Sequence, residues 1–241
     1  IVPLADGGEG TVGLLTRAAG GKLISLEVND PLMRRVVAEY GYSESDQTAF
    51  IEMASAAGLW RLRPEEYNPE RTTTYGIGEM VLDAQKRGAD HIIIGCGGSA
   101  TNDVALGMAE AIGFRFYDRK GNLVHPSGGN LVEIIRIDSE FVNSKIKSIR
   151  FTVISDVKNI LTGVAGAAYV FGPQKGADYD SVQRLDAGLE NIREVFKNEF
   201  GLDVNDVPGS GAGGGFPAGV KSLLNARIIS GIEFIMEQLS F

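Results

Sequence analysis

The chain has 241 residues, of which 44% are hydrophobic and 22% charged, and its formal net charge is −8. A chain of this length and composition can bury a substantial core, as globular proteins do. The acidic balance and the lack of a basic run argue against nucleic acid as a partner. We expect neither a membrane span nor a secretory signal. The single cysteine, Cys96, cannot form an internal disulfide, which favours a reducing, cytoplasmic location.

The spacing of apolar residues predicts strands dispersed among helices along the whole chain. Strands are predicted over residues 22–28, 35–42, 49–53, 91–94, 114–117, 122–124 and 147–154. Helices are predicted over residues 8–19, 72–86, 104–112, 180–200, from 220 onward and 228–239. Turns at 29–33 and 118–121 predict two hairpins. This order is typical of an α/β fold with a mixed sheet and flanking helices. No linker is evident, so residues 1–241 are expected to form a single domain.

Residues 95–103 (GCGGSATND) are the most informative stretch, because they follow an apolar strand and precede a predicted helix. Glycines allow a bound group to approach the backbone, and the first amides of a helix are unpaired donors. Such a turn suits a phosphate or a carboxylate. The alternative is a tight turn in which Asn102 or Asp103 caps the helix.

Three further polar, glycine-rich turns stand at predicted strand ends or helix starts. They cover residues 6–11 (DGGEGT), 155–163 and 209–215 (GSGAGGG). One such turn is weak evidence, but four that include Asp6, Glu9, Asp103 and Asp156 predict a common site. Ligands of α/β folds gather at the carboxyl ends of the strands.

The chemistry of this site is narrowed by what the sequence does not contain. The two histidines have no suitable nucleophile or metal-ligand spacing around them, which argues against a Ser-His-Asp triad and a zinc site. Neither a complete dinucleotide fingerprint nor a Gly-Lys-Ser/Thr phosphate loop is present. Carboxylates, hydroxyls and backbone amides remain, and phosphoryl transfer suits that set.

Lys175 is the most interesting cation, because Pro173 and Gly176 place it in a turn before a long helix. Its ammonium could pair with a phosphate or carboxylate, and the alternative is a solvated lysine of a surface turn. Around Trp60, core packing is the favoured interpretation over recognition.

Taken together, several segments resemble the bacterial type I glycerate kinase family. They span nearly the whole chain in the family's order: residues 3–11, 51–59, 73–79 (TTYGIGE), 97–103 (GGSATND), 170–177 (VFGPQKGA) and 209–219. The resemblance implies an enzyme that phosphorylates glycerate with ATP and magnesium. It also implies that the chain is the inserted domain of a two-domain α/β kinase whose Rossmann-like partner domain is absent. A fragment of that kind is expected to be inactive alone.

The resemblance also implies site residues. Asp6 and Asp156 are the expected catalytic carboxylates, which accept the hydroxyl proton or coordinate magnesium. Substrate and phosphate binding is expected of residues on three of the motifs: Gly7, Gly8, Glu9, Gly97, Gly98, Ser99, Thr101, Asn102, Asp103 and Lys175. The resemblance leaves the metal ligands, the place of the nucleotide and the oligomeric state unassigned.

Four positions depart from the family pattern. Val104 and Ala105 stand where the family usually has two glycines, and their side chains are expected to narrow access to the backbone at the helix start. Ser155 replaces a cysteine and Ile160 a proline. The competing hypothesis for the whole chain is a non-catalytic module that binds a small hydroxy acid or phosphate.

Overall fold

A computed structural model describes residues 10–205, 207–231 and 234. Nine strands and eight helices lie in these ranges. The strands are β1 (Lys22–Asn29), β2 (Arg35–Ser43), β3 (Thr48–Glu52), β4 (His91–Gly95), β5 (Arg115–Tyr117), β6 (Leu123–Val124), β7 (Arg136–Asp138), β8 (Arg150–Ile154) and β9 (Arg227–Ile229). The helices are α1 (Thr11–Ala18), α2 (Met53–Ala57), α3 (Tyr75–Lys86), α4 (Leu106–Ala111), α5 (Ser144–Ser148), α6 (Ala167–Phe171), α7 (Tyr179–Phe200) and α8 (Ala212–Leu224).

The main sheet has six strands in the order β1-β2-β3-β4-β8-β9. The β1–β2 and β2–β3 pairs are antiparallel, and the other three pairs are parallel. A small second sheet has the order β6-β5-β7. The predicted mixed sheet with flanking helices and both predicted hairpins are therefore confirmed.

Side chains alternate between the two faces of each strand, and the sheet is apolar on both faces near its centre. Ile51, Ile92 and Ile94 lie on one face in the main core, together with residues of α3 and α4. Phe50 and Ile93 lie on the other face and pack with Val12 of α1 in a smaller cluster. Burial on both faces explains why β4 is a continuous apolar run.

Two predicted elements were wrong at their beginnings. The segment predicted as strand 147–154 begins as α5, in which the side chain of Asn143 accepts a hydrogen bond from the Lys145 amide. The strand starts only at Arg150. The helix predicted from residue 228 is wrong at its beginning, because Ile228 and Ile229 pair with β8 as strand β9. The rest of that helix lies largely outside the described residues.

Trp60 is 60% exposed, so the expectation that it packs in the core was also wrong. Its indole donates a hydrogen bond to the Ala54 carbonyl, and the Arg61 guanidinium lies 4.4 Å from its ring centre. A polar partner on one edge and a cation on one face keep this large ring at the surface.

Candidate functional site

The site lies at one edge of the main sheet, where the parallel strands end together. Glu52 pairs with Gly95, Gly95 with Ile154, and Ile154 with Ile229. Each pair joins the last residues of two neighbouring strands. The loops that follow β4 and β8 therefore leave the sheet side by side, as expected for a ligand site in an α/β fold.

The loop after β4 is held by backbone hydrogen bonds with the end of α2 and with the segment that follows it. The Leu59 amide donates to the Gly98 carbonyl over 2.8 Å, and the Ala100 amide donates to the Ala57 carbonyl over 2.8 Å. Gly98 has φ 67°, a conformation that glycine adopts without strain. These contacts fix the position of Ser99 before α4 begins. The helix start was expected directly after this turn, but α4 begins only at Leu106.

Lys175 crosses from the other side of the cleft to this loop. Its Nζ donates to Ser99 Oγ over 3.0 Å and to the Thr101 carbonyl over 2.7 Å. The residue is 2% exposed, so it is not a solvated turn lysine. Burial lowers the pKa of the ammonium to about 8, although the charge of Asp103 works in the opposite direction.

The turn around Lys175 depends on its neighbours. A short 3-10 helix, Pro173–Lys175, ends at Gly176, which has φ 94°. A Cβ atom there would lie 2.4 Å from the carbonyl oxygen of Tyr67. Glycine is therefore required both for the conformation and for the close approach, and this turn directs the lysine inward.

Lys175 and Ser99 together present donors to the cleft. An ammonium has three N–H donors, and two of them are used by Ser99 and Thr101. Because Ser99 Oγ accepts from Lys175, its own proton is available to another acceptor. The pair can thus donate two hydrogen bonds to one anion.

Asp156 lies on the neighbouring loop, directly after β8. Its Oδ1 accepts a hydrogen bond of 2.8 Å from the Gly231 amide, and its residue is exposed. In the described part of the chain Oδ2 has no hydrogen-bond partner. The carboxylate is thus oriented by one oxygen, and the other faces solvent or a ligand.

These groups line one cleft of about 310 Å³, which we call the Lys175 cleft. This volume suits a small metabolite. The residues that line it come from four loops: Cys96, Gly97, Gly98, Ser99, Ile154, Ser155, Asp156, Val157, Phe171, Gln174, Lys175, Ala212 and Gly213. The structure thereby brings three of the four predicted turns together.

Sequence reasoning missed several of these residues, Gln174 and Phe171 in particular. Gln174 stands next to Lys175 in the same turn, so the motif at residues 170–177 could have indicated that it lies near the site. Phe171 ends a five-residue helix, α6, which was not predicted. Cys96 is buried, and burial raises the pKa of its thiol, which disfavours the reactive thiolate.

Thr101, Asn102 and Asp103 lie beneath the cleft, and none of them is more than 1% exposed. Asp103 Oδ2 accepts hydrogen bonds from the amide and hydroxyl of Thr74 over 2.7 and 2.8 Å, and from the Gly107 amide over 3.2 Å. Burial raises the pKa of this carboxyl, and the Thr74 bonds oppose that effect. Asp103 thus connects α3 to α4 beneath the cleft.

Buried polar atoms without a partner are concentrated in this segment. Within the described residues they are Thr101 Oγ1, both side-chain atoms of Asn102, Asp103 Oδ1 and Ser210 Oγ. Direct ligand binding by Thr101, Asn102 and Asp103 stays a prediction.

Val104 and Ala105 are fully buried and face α8 rather than the cleft. Their φ angles are 47° and 61°, in the left-handed region where glycine is favoured. A Cβ on Gly219 would lie 1.8 Å from the Val104 carbonyl oxygen, which shows how closely α8 approaches them. The expected narrowing of the site by their side chains was therefore wrong.

Asp6, Gly7, Gly8 and Glu9, to which the resemblance assigns catalytic and binding roles, lie outside the described residues. No group of three or more His, Cys, Asp or Glu side chains that could hold a metal ion occurs within residues 10–205, 207–231 and 234. Across the same ranges, we find no helix with the length and apolar character needed to cross a membrane.

The whole chain, residues 1–241, matches the model of the glycerate kinase family. A glycerate kinase of Bacillus cereus is 45% identical over 240 residues, which cover 100% of this chain and 63% of that protein. The glycerate 2-kinase of Escherichia coli is 43% identical over 239 residues, with coverages of 99% and 63%. A crystal structure from Salmonella typhimurium LT2, described as a glycerate kinase 2, superimposes with a TM-score of 0.94 at 41% identity and covers 99% of this chain and 64% of that one.

The chain thus spans less than two thirds of the length of these relatives. The match covers every loop of the Lys175 cleft. The chain belongs to the glycerate kinase family.

Proposed function

We propose that the protein carrying this chain transfers the γ-phosphoryl group of ATP to a hydroxyl of glycerate. The observation that carries this proposal is the Lys175 cleft, in which a buried ammonium, a serine hydroxyl and an aspartate converge at the carboxyl ends of β4 and β8. Family membership and the names of the relatives support the same reaction. The name of the Escherichia coli relative favours the 2-hydroxyl as the acceptor.

Phosphoryl transfer requires that the negative charge of the phosphates be stabilised while the attacking and the leaving oxygen are held in line with the transferred phosphorus. The glycerate hydroxyl oxygen attacks the γ-phosphorus, the bond to the bridging oxygen breaks, and ADP leaves. Lys175, Ser99 and the amides of Gly97 and Gly98 donate to the transferred group. Asp156 and Asp6 are the candidates for the carboxylate that takes the hydroxyl proton.

Magnesium fits the donor chemistry of this site. The ion prefers oxygen ligands and is usually bound by one or two carboxylates together with substrate phosphates, without a full protein cage. Among the described residues that line the cleft, Asp156 is the carboxylate that would hold it. When bound, the ion neutralises phosphate charge.

The chain length relative to its relatives supports a second part of the proposal. The chain is the inserted domain of a two-domain kinase, and the site is completed by the partner domain. The buried, unpaired Cys96 is consistent with a cytoplasmic protein.

The test is glycerate-dependent formation of ADP by the intact protein, with the phosphorylated carbon identified by NMR. We expect Asp156→Asn to lower kcat by at least about 100-fold, because general base catalysis contributes that much. The matched control is Asp180→Asn, which alters an exposed aspartate at the start of α7.

A wild-type rate for Asp156→Asn would remove that residue from the mechanism. Glycerate binding by an intact protein that forms no ADP would contradict the kinase and favour the non-catalytic binding module.

A further inference from the structure

A second cavity of about 500 Å³ adjoins the Lys175 cleft, and we call it the Val207 cavity. Residues 155–157 line both spaces and form the wall between them. The other walls include Val207, Pro208 and Ile228. Asp156 therefore stands between two cavities. This arrangement suits a kinase, because a kinase holds its two substrates on either side of the transferred phosphoryl group.

The Val207 cavity has the chemistry of a nucleoside site. Val157, Val207 and Pro208 offer apolar surface to a flat base, and Lys158 and Ser230 offer polar groups at the same space. The cavity lies past the ends of β8 and β9, two adjacent parallel strands, where α/β folds bind nucleotides. Its size is within the range of small-molecule sites.

Two other cavities of at least 300 Å³ among the described residues fit a nucleotide less well. One is lined by Glu39, Glu52 and Trp60, and no lysine or arginine among the described residues that line it offsets the two carboxylates, which would repel a polyphosphate. The other is lined by Arg71 and His125. Neither shares a lining residue with the Lys175 cleft, so neither can deliver a phosphate to it directly.

We propose that the Val207 cavity holds the nucleoside of the phosphate donor, and that the triphosphate extends across residues 155–157 into the Lys175 cleft. This inference rests on the proposed function and adds the place of the nucleotide. It assigns the smaller cleft, which contains the buried Lys175, to the transferred phosphate and glycerate.

The test is steady-state kinetics of the intact protein with Val207→Trp, which fills the cavity from a half-buried position. We expect the KM for ATP to rise at least about 10-fold, because the indole occupies the space of the base, while the KM for glycerate changes less than about twofold. The matched control is Val164→Trp, at a valine that is 83% exposed and lines neither cavity. If Val207→Trp does not fold, Ile228→Ala replaces it, with the same expected selectivity for ATP.

An unchanged KM for ATP in the folded variant, or equal rises in both KM values, would overturn the inference and leave the proposed function standing. If the wild-type protein does not phosphorylate glycerate, the proposed function fails, and calorimetry with ATP decides the inference. ATP binding that Val207→Trp weakens and Val164→Trp does not would support the nucleoside site. Absent or unaffected binding would overturn it.

Discussion

At the scale of single residues, the proposed function depends on a cation that burial destabilises. Lys175 is almost completely buried, yet it is held by Ser99 Oγ and by the Thr101 carbonyl, both of which favour the ammonium form. Desolvation remains the larger effect and lowers its pKa to about 8. The negative charge of a bound phosphate would stabilise the ammonium and offset the cost of its desolvation. Anion binding at this site is therefore favourable.

This pKa gives a pH dependence with a definite sign. Below about pH 8 the ammonium is protonated and can bind an anion, and above it the group becomes neutral. We expect kcat/KM for glycerate phosphorylation to fall as the pH rises through about 8. The falling limb of kcat should lie at higher pH, because bound phosphate raises the pKa of Lys175. A pH profile of the intact protein checks this, and a flat kcat/KM up to pH 9.5 would contradict it.

Ala105 tests the backbone strain beneath the site. It has φ 61° and no exposed surface. The left-handed conformation costs an alanine about 1–2 kcal/mol, which glycine avoids, while the lost methyl costs about 0.8 kcal/mol. We expect Ala105→Gly to leave the free energy of unfolding unchanged or raised, as measured by urea denaturation.

Ala109 is the matched control, since it is equally buried but lies inside α4. Ala109→Gly should lower the free energy of unfolding by about 1–2 kcal/mol, because it loses both the methyl and the helix propensity. Equal losses at the two positions would show that residue 105 is not strained.

At the scale of elements, close packing between α8 and the β4–α4 loop sets the floor of the site. The Val104 amide donates to the Gly214 carbonyl over 3.1 Å. Residues 213–215 all have positive φ, so the first turn of α8 is not a regular helix. This glycine-rich segment lets the helix approach the loop and brings Ala212 and Gly213 to the cleft.

Gly219→Ala is expected to destabilise the protein by at least about 2 kcal/mol, because the new methyl would meet the Val104 carbonyl, a backbone group that cannot rotate away. Gly13→Ala is the control, since a Cβ there has no atom within 4 Å and α1 should gain about 0.5–1 kcal/mol. Denaturation of both variants checks the prediction. A neutral Gly219→Ala would mean that α8 does not pack as described.

The spacing of apolar residues predicted the long helices and strands but not all of the short ones. Period-2 alternation located β1 and β2, and period-3.6 spacing located α3 and α7, because each pattern runs for eight residues or more. The periodicity of apolar residues failed at β9, because three residues are too few to show a pattern. These residues form a strand because they pair with the edge of β8. The sequence also failed to show that Trp60 is exposed. An exposed position is favourable for this ring because the Arg61 guanidinium packs on its face.

At the scale of the whole molecule, an acidic chain concentrates donors at one point. The net charge of −8 cannot attract an anion, so binding must come from local groups. The parallel strands place the loops after β4 and β8 side by side, and the turn at Pro173–Lys175 adds the ammonium. The motifs indicated which loops would meet. They could not show that Asp103 faces the interior, because that depends on its contact with Thr74.

The central claim is that Lys175, Ser99 and Asp156 act in one anion-binding cleft. Its most direct test is kcat/KM for glycerate phosphorylation by the intact protein with Lys175→Met, a neutral side chain of similar length. Lys145→Met, at an exposed lysine of α5, is the control. We expect a loss of at least about 100-fold for Lys175→Met, the usual effect of removing one such donor, and less than about a twofold change for the control. A folded Lys175→Met protein with the wild-type kcat/KM would contradict the claim.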